Sequence, residues 1–399
     1  AIISGMNEHQ QKIGELIARI RNQRGLTQKE LADKLKTSQS AINRIEAGKQ
    51  NVTLEMLARI SDVLNKEIIS LGSDSVNLRV EGGHKLRGSI DTKVSKNATV
   101  GLLCAALLNR GTTTLKKVPK IEEVFRLIEV LQSIGVKVTW LDDGDVEIKP
   151  PKVLKLEDID AKAARRTRSI IMYLGPLMHR YKEFRLPYAG GCKLGKRTVA
   201  PHLYALEEFG LSVDTKNNYY HVTVRKKSPK EVTLYEMGET VSENVLMAAA
   251  MTEGTTIIRN ISSNYMVQDM CFFLEKLGAR IEGIGTNTLT VHGVKDVEKN
   301  ITYAPSEDPI EAFSFISAAI TTNSRITVKR CPIEFLRVEL LRLEKMGCKF
   351  RISKPYKAEN GRTDLVDITT LESDNLKAPE DKILALTHPG INMDNLPFF

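Results

Sequence analysis

The sequence lacks the features that mark metal-binding, secreted or membrane-spanning proteins. Its 399 residues include only five cysteines, and none of them stands in a Cys-x-x-Cys pair or in another metal-ligand spacing. No apolar run is long enough to span a bilayer, and the start of the chain has no signal-peptide pattern. We therefore expect a reduced, cytoplasmic chain that makes no membrane contact, binds no metal and needs no cofactor.

The composition is that of an ordinary globular protein with a basic surplus. Hydrophobic residues make up 42% and charged residues 27% of the chain, which is long enough for two or three domain cores. The formal net charge is +9, but residues 1–74 carry a surplus of only two basic residues. Most of the surplus therefore belongs to the larger C-terminal part, where anionic small molecules explain it as well as nucleic acid does.

The first 70 residues carry helical patterns. Apolar residues from Ile13 to Ile20 recur at helical spacing, and Thr27-Gln28-Lys29-Glu30 is a capping box that predicts a helix through Leu35. Two further helices are predicted from Ser38 to Glu46 and from Thr53 to Leu64. In this register the region from about residue 8 to 70 resembles the lambda-repressor-type helix-turn-helix family.

The resemblance implies an all-α domain at residues 6–72 that binds double-stranded DNA. It implies that four side chains face base edges and two lie near phosphates: Ser38, Gln39, Ser40 and Arg44 at the bases, Gln28 and Lys49 at the phosphates. Because the region has little net charge, one copy should bind weakly, and a homodimer on paired half-sites is expected. A helical protein-binding module is the alternative.

A repeated pattern follows a polar hinge at residues 65–75. Each copy is an apolar strand, a helix that ends in Leu-x-x-apolar-Gly, and another strand. The glycines that close the four copies are Gly135, Gly210, Gly278 and Gly347. We expect each glycine to end its helix in the left-handed conformation. Repeats of this size predict a region built from copies of one α/β unit.

The stretch from Tyr188 to Arg197 combines glycines, one thiol and several cations. Cys192 lies within five residues of Lys193, Lys196 and Arg197. A thiol beside positive charge loses its proton more readily, and cations on a glycine-rich loop suit a phosphate group. The stretch predicts a reactive cysteine beside an anion site. A basic surface loop with an incidental cysteine is the alternative.

Further motifs follow one another in a fixed order beyond the hinge: Val80 to Gly83, Ser95-Lys96-Asn97, Arg168, Leu174 to Leu177, Gly190 to Arg197, Glu253 to Thr256, and His388-Pro389-Gly390 with Asp394. Together they resemble the UDP-N-acetylglucosamine enolpyruvyl transferases, relatives of the EPSP synthases, over about Val76 to Phe399. The resemblance implies an α/β fold, an inside-out barrel of repeated βαβαββ units in two globular domains. It assigns residues 76–95 and 265–399 to the first domain, and residues 96–264, with the cysteine loop, to the second.

The resemblance also implies a reaction of peptidoglycan precursor synthesis. Phosphoenolpyruvate is protonated at its methylene carbon and attacked by the 3-hydroxyl of a UDP-sugar, after which phosphate leaves. Cys192 would be the acid and the covalent-adduct residue, and Asp394 would take the hydroxyl proton. Four further residues would act on phosphoenolpyruvate: Lys96 and Arg197 on its phosphate, Asn97 at the intermediate, and Arg168 in the same pocket.

Several segments depart from the family pattern. Ala200 and Pro201 replace the Asp and Leu that face the uridine, residues 263–266 replace the hinge, and Glu236 and Glu239 stand in the segment that faces the diphosphate. Carboxylates there reverse the sign of the site. Only four repeat copies are found against the family's six, so the C-terminal part of the first domain is expected beyond Phe399.

Three interpretations stay open at this point. The chain is a transferase that acts on UDP-N-acetylglucosamine, or a transferase that acts on another hydroxyl acceptor. In the third interpretation it is a transcription regulator whose degenerate transferase region senses a metabolite.

Overall fold

The computed structural model describes residues 2–23, 25–50, 52–64, 82–190, 198–225, 227–379 and 382–399. The chain divides into two compact units, an N-terminal unit of Ala1–Gly82 and a C-terminal unit of Gly83–Phe399. Within the described ranges, no helix is both long and apolar enough to cross a membrane.

The N-terminal unit is helical, as predicted. Its helices are α1 (Ile2–Gln23), α2 (Gln28–Leu35), α3 (Gln39–Glu46) and α4 (Leu54–Leu64). The capping box is present, because the Thr27 side chain accepts from the Glu30 amide while the Glu30 carboxylate accepts from the Thr27 amide. Buried apolar residues of all four helices, among them Ile17, Leu31 and Ile42, form one core.

An ion pair joins α1 to the end of α3. Nε and Nη2 of Arg21 lie 2.6 and 2.9 Å from the two carboxylate oxygens of Glu46. Nε2 of Gln28, at the start of α2, donates to the same carboxylate over 2.8 Å. Since both members of the pair are largely buried, this two-pronged contact orients three helices around one carboxylate.

The C-terminal unit alternates strands and helices. Its helices are α5 (Lys96–Ala105), α6 (Glu122–Ser133), α7 (Ala161–Ala164), α8 (Leu174–Leu177), α9 (Ala200–Glu207), α10 (Glu239–Ala250), α11 (Tyr265–Leu277), α12 (Pro309–Thr321) and α13 (Arg337–Lys345). Its strands are β1 (Arg87–Asp91), β2 (Thr113–Leu115), β3 (Lys137–Trp140), β4 (Val146–Lys149), β5 (Glu183–Pro187), β6 (Leu211–Lys216), β7 (Tyr219–Val224), β8 (Glu231–Thr233), β9 (Gly254–Arg259), β10 (Arg280–Glu282), β11 (Thr288–Gly293), β12 (Ile301–Tyr303), β13 (Arg325–Pro332), β14 (Lys349–Ile352), β15 (Tyr356–Lys357) and β16 (Asp364–Leu371).

A large lobe, consisting of α5 to α11 and β2 to β12, surrounds the larger core. Its sheets have the strand orders β12-β2-β4-β3, β5-β7-β6 and β10-β11-β9-β8. Helix α10 is buried on every side from Val241 to Ala250, so apolar and small residues surround its axis instead of forming one stripe. Helices thus lie inside and sheets outside, as the resemblance implies. In the described strands, however, the sheets remain separate and do not close into a barrel.

A small lobe, consisting of β1, α12, α13 and β13 to β16, has its own core. Its sheet has the order β1-β13-β16-β14, with β15 on β16, and β1 pairs parallel to β13 from Arg87↔Arg325 onward. Buried apolar residues from Ala312 to Ile368 fill this core, whereas the larger core runs from Ala98 to Tyr303. The predicted division between residues 264 and 265 falls inside the larger core. The division of residues 76–399 into two domains stays a prediction.

The glycines that close the repeats have the predicted backbone conformation. The φ angles are 88° at Gly135, 87° at Gly210, 118° at Gly278 and 95° at Gly347. Each glycine follows a helix (α6, α9, α11 or α13) and precedes a strand (β3, β6, β10 or β14). A left-handed residue turns the chain from the helix to the strand, and a side chain there would be strained.

Candidate active site and helix-turn-helix surface

A cavity of about 730 Å³ opens in the C-terminal unit where several segments converge. The start of α5, the residues around Arg168, the start of α10 and the segment 385–394 line it. Four of the predicted site residues lie along this cavity: Lys96, Asn97, Arg168 and Asp394. The fold brings these four residues to one cavity, whereas their roles in catalysis stay predictions.

Lys96 and Asn97 are the first two residues of α5, directly after its N-cap Ser95. Its hydroxyl accepts from the amide of Ala98 over 3.3 Å and so caps α5. The phenol oxygen of Tyr265, which is fully buried, lies 3.2 Å from the Ser95 hydroxyl and 3.3 Å from Nδ2 of Asn97. The Asn97 amide is therefore oriented from beneath the cavity before any ligand enters.

Glu123, which sequence reasoning missed, is the partner of Lys96. Nζ of Lys96 lies 3.0 Å from Oε2 of Glu123, while the hydroxyls of Ser169 and Thr167 donate to Oε1 over 2.7 and 3.4 Å. Burial acts to raise the pKa of Glu123, but the hydrogen bonds from Ser169 and Lys96 and the charge of Lys96 outweigh it and lower the pKa. The only sequence signal was an acidic pair in the first turn of α6, which is as typical of a helix start as of a site.

Arg168 lies beside both described ends of the cysteine loop. Its Nη2 donates to the carbonyl of Thr198 over 3.1 Å. The amide of Gly190 donates to the carbonyl of Thr167, and a Cβ at Gly190 would overlap the Arg165 carbonyl, so only glycine fits there. The predicted residues between these ends, Cys192 and Arg197 with Lys193 and Lys196, lie outside the described residues.

Helix α10 brings two carboxyl groups to the cavity. Oε1 of Glu239 accepts from Nδ2 of Asn264 over 3.3 Å. Glu243, one turn further, is 2% exposed, and its Oε1 has no hydrogen-bond partner among the described residues. Burial, and then the charges of Glu239 and Asp269, raise the pKa of Glu243 well above its usual range. Of the two glutamates in the segment that the resemblance assigns to the diphosphate, Glu239 lines the cavity, whereas Glu236 is exposed outside it.

A buried histidine packs against α10, the helix that carries Glu239 and Glu243. His202 lies in α9, just after Ala200, and is 2% exposed. Its Nδ1 lies 3.2 Å from Nδ2 of Asn244 and its Nε2 lies 3.3 Å from the hydroxyl of Thr240. Burial and the charge of Arg168 lower the pKa of His202 to about 3, so the ring is neutral at physiological pH. A neutral ring that contacts two residues of α10 positions that helix.

The segment that carries Asp394 is attached to both lobes. The Ser263 hydroxyl of the large lobe donates to the carbonyl of His388 over 2.8 Å, and Nδ2 of Asn395 donates to Glu339 of the small lobe over 2.9 Å. Asp394 itself is exposed and lies in the first turn of the short 3-10 helix Met393–Phe398, where its amide donates to Oδ1 of Asn392. The carboxylate predicted to accept the hydroxyl proton therefore lies at the rim of the cavity.

Comparison with known proteins identifies both regions. Residues 80–393 match the family model described as EPSP synthase (3-phosphoshikimate 1-carboxyvinyltransferase). The chain belongs to this enolpyruvyl transferase family. Residues 17–71 match the family described as helix-turn-helix. The family predicted from the order of the motifs is thus confirmed, together with the helix-turn-helix that precedes it.

Two curated relatives share the name UDP-N-acetylglucosamine 1-carboxyvinyltransferase. The UDP-N-acetylglucosamine 1-carboxyvinyltransferase of Bradyrhizobium diazoefficiens is 37% identical over 273 residues, which cover 68% of this chain and 63% of that relative. UDP-N-acetylglucosamine 1-carboxyvinyltransferase 1 of Clostridium acetobutylicum is 31% identical over 295 residues, covering 73% of this chain and 70% of that relative. The chain thus spans less than two thirds of the length of the Bradyrhizobium relative.

Solved structures of enolpyruvyl transferases share the fold. The enolpyruvyl transferase NikO from Streptomyces tendae superposes with a TM-score of 0.65 at 20% identity, covering 79% of this chain and 72% of that one. EPSP synthase from Acinetobacter baumannii has a TM-score of 0.58 at 18% identity, covering 74% of this chain and 66% of that one. At these identities the likeness concerns the fold alone.

The helix-turn-helix region presents most of its predicted DNA-facing residues to solvent. Four of them are exposed along or just beyond α3: Gln39, Ser40, Arg44 and Lys49. Ser38 is exposed too, but its hydroxyl caps α3 by accepting from the Ala41 amide. Gln28 is half-buried and donates to Glu46, so its amide nitrogen already has an intramolecular partner. The contacts to DNA stay predictions.

Proposed function

We propose that the C-terminal unit transfers the enolpyruvyl group of phosphoenolpyruvate to the hydroxyl of UDP-N-acetylglucosamine or of another acceptor. The observation that carries the proposal is the convergence of Lys96, Asn97, Arg168 and Asp394 on one cavity. Cations suit the phosphate and carboxylate of phosphoenolpyruvate, and a carboxylate at the rim suits the removal of a hydroxyl proton. The names of the relatives from Bradyrhizobium and Clostridium support the same reaction.

The proposed chemistry is an addition followed by an elimination. Cys192 gives a proton to the methylene carbon while the acceptor oxygen attacks the neighbouring carbon and Asp394 takes the hydroxyl proton. The new methyl group then returns a proton to the thiolate of Cys192, the double bond re-forms and phosphate leaves. Lys96 and Arg197 offset the negative charge of the phosphate, Arg168 lines the same pocket, and Asn97 donates a hydrogen bond to the intermediate.

Glu123 sets the charge of the cavity before phosphoenolpyruvate enters. Its carboxylate pairs with Lys96, so the ammonium is oriented and partly neutralised. An entering phosphate competes for that ammonium. We assign Glu123 the role of a positioning residue, because its contact with the reaction passes through Lys96.

A second function belongs to the N-terminal unit, which we propose binds double-stranded DNA through α3. The match of residues 17–71 to the helix-turn-helix family and the exposed Gln39 and Arg44 support it. In a related alternative, the transferase region senses a metabolite and regulates DNA binding without turnover. Glu239 favours it, because this carboxylate lines the cavity and belongs to the segment that the resemblance assigns to the diphosphate.

Release of phosphate from phosphoenolpyruvate separates these proposals. The full chain is incubated with phosphoenolpyruvate and UDP-N-acetylglucosamine, next to the variants Cys192→Ser and Lys96→Ala. Release that requires acceptor and is lost in both variants supports the transferase. If phosphoenolpyruvate binds and changes DNA affinity but is never consumed with any acceptor, the sensor proposal replaces it.

A further inference from the structure

Tyr265 is a buried tyrosine beneath the cavity. It is the first residue of α11 and is 1% exposed, whereas its neighbours Asn264 and Met266 both line the cavity. Tyr265 falls within residues 263–266, which depart from the family pattern, so the resemblance gives it no role. The fold therefore places beside the site a side chain that no motif named.

The hydroxyl of Tyr265 contacts two polar residues at the start of α5. Its oxygen lies 3.2 Å from the hydroxyl of Ser95 and accepts from Nδ2 of Asn97 over 3.3 Å. Ser95 is itself held in place, because its oxygen accepts from the amide of Ala98 at the helix cap. With one Nδ2 hydrogen of Asn97 bound by the phenol, the second hydrogen and Oδ1 can be directed at a ligand in the cavity.

Aromatic contacts hold the ring of Tyr265. Its centroid is 5.7 Å from that of Phe335, which lies between β13 and α13, at an interplanar angle of 69°. The ring of Phe335 in turn has its centroid 4.8 Å from that of His388, in the segment that leads to Asp394. Contacts of this kind favour one arrangement of the rings. The phenol is therefore a fixed point next to Asn97.

The Tyr265 hydroxyl is unsuited to acid or base chemistry. Burial, and then the charge of Asp308, raise the pKa of Tyr265 well above its usual range. The hydroxyl therefore stays protonated and neutral at physiological pH. A neutral hydroxyl beneath Asn97 can orient the amide, but it does not take a proton from a substrate.

We propose that Tyr265 is a positioning residue, whose hydroxyl orients the Asn97 amide for its hydrogen bond to the intermediate. The proposal rests on the proposed enolpyruvyl transfer, in which Asn97 makes that hydrogen bond. An unrestrained amide samples several rotamers, and only those aimed at the intermediate lower the barrier. Because the phenol selects a rotamer before phosphoenolpyruvate enters, its loss should affect turnover more than binding.

Nuclear magnetic resonance of the full chain tests the positioning itself. Tyr265→Phe removes the hydroxyl and keeps the ring, so the ring currents remain. With ¹⁵N-labelled asparagine, the side-chain amide pair of Asn97 is identified by its absence from the spectrum of Asn97→Ala. We expect Tyr265→Phe to shift this pair, because the hydrogen bond is lost. An unchanged pair, in a variant that thermal unfolding shows to be folded, overturns the proposal.

Tyr173→Phe is the matched control. Tyr173 is also fully buried, its hydroxyl donates to the carbonyl of Leu127 over 3.3 Å, and it lies outside the lining of the cavity. The change therefore removes one buried hydroxyl from the same core without touching Asn97. It should leave the amide pair of Asn97 unchanged.

Steady-state release of phosphate from phosphoenolpyruvate, with UDP-N-acetylglucosamine as acceptor, measures the effect on the reaction. We expect Tyr265→Phe to lower kcat about five-fold, the effect of one lost hydrogen bond, and to leave the KM for phosphoenolpyruvate unchanged. In the Asn97→Ala background the same change should have no further effect, because the group that it orients is gone. Equal losses of kcat in Tyr265→Phe and Tyr173→Phe, or a full further loss in the Asn97→Ala background, would reduce Tyr265 to a structural residue.

The two measurements separate this inference from the proposed function. If the wild-type chain neither binds phosphoenolpyruvate in a calorimetric titration nor releases phosphate, the transferase proposal fails, while the amide pair still shows whether Tyr265 orients Asn97. If the chain releases phosphate and Asn97→Ala lowers kcat, but Tyr265→Phe changes neither kcat nor the amide pair, only the role of Tyr265 is rejected.

Discussion

The ammonium of Lys96 lies 3.0 Å from the carboxylate of Glu123, which joins the tip of α5 to the first turn of α6. Ser169 and Thr167 donate to the other oxygen of Glu123, so the carboxylate is oriented from two sides. The side chains of Lys96 and Glu123 are 45% and 30% exposed, which leaves room for a ligand and lets water screen the pair. The cation proposed to bind phosphate is therefore positioned by a group outside every predicted motif.

Replacing Glu123 by Gln should destabilise the protein in a pH-dependent way. The pKa of Glu123 is lowered in the folded state, so its carboxylate stabilises the fold above its unfolded pKa of about 4.3. This stability is lost as the pH falls through the folded pKa. We expect Glu123→Gln to lower the free energy of unfolding by about 1 kcal/mol at neutral pH, with the difference shrinking in acid.

Denaturant unfolding of the wild type and of Glu123→Gln, from neutral pH into the acid range, measures the effect. Glu183→Gln, at an exposed carboxylate on β5, is the matched control and should behave like the wild type at every pH. A loss of stability that is equally large in acid would mean that packing, not the charge of Glu123, is responsible.

Cys192 should be the most reactive thiol of the chain. The other four cysteines are buried, and burial raises the pKa of Cys104 well above its usual range and that of Cys331 to about 12. Peptide mass mapping after brief alkylation should find Cys192 modified first, with phosphoenolpyruvate protecting it. Cys192→Ser should abolish labelling and any transfer. Equal labelling of Cys192 and Cys348, unaffected by ligand, would refute the catalytic role.

UDP-N-acetylglucosamine should bind poorly to the wild-type chain, because Glu239 lines the cavity and lies in the segment that the resemblance assigns to the diphosphate. Glu239→Lys should strengthen its binding about ten-fold or more by reversing that charge. Glu236→Lys makes the same change at an exposed site outside the cavity and should have a much smaller effect. Tight binding to the wild type, or equal gains in the two variants, would reject this placement of the diphosphate.

The exposed residues of α3 should govern DNA recognition. Gln39→Ala together with Arg44→Ala should reduce sequence preference, because these side chains face outward from the helix. Lys49→Ala should weaken binding to all sequences alike and reduce the salt slope by about one. Fluorescence anisotropy of the full chain with several duplexes at increasing salt measures both. If the double variant and the parent rank every duplex equally, bases are read elsewhere.

Local features of the fold were predictable from short stretches of sequence. The capping box at Thr27 and the left-handed glycines that end α6, α9, α11 and α13 depend on neighbouring residues only. The order of the motifs predicted the family and named Lys96, Asn97, Arg168 and Asp394, which line one cavity. The loop of Cys192 and Arg197 was predicted on the same grounds.

Long-range packing determined the features of the fold and of the cavity that short stretches of sequence did not predict. Strand β1 pairs with β13 and β12 pairs with β2, and the buried apolar residues form one core that runs to Tyr303 and another that begins at Ala312, which no local pattern marks. Glu123 is the partner of Lys96, and Glu243 is a buried acid, only because distant helices pack together. The local sequence pattern does not distinguish a helical glutamate that faces water from one that faces a cavity, because burial and partners are properties of the folded chain alone.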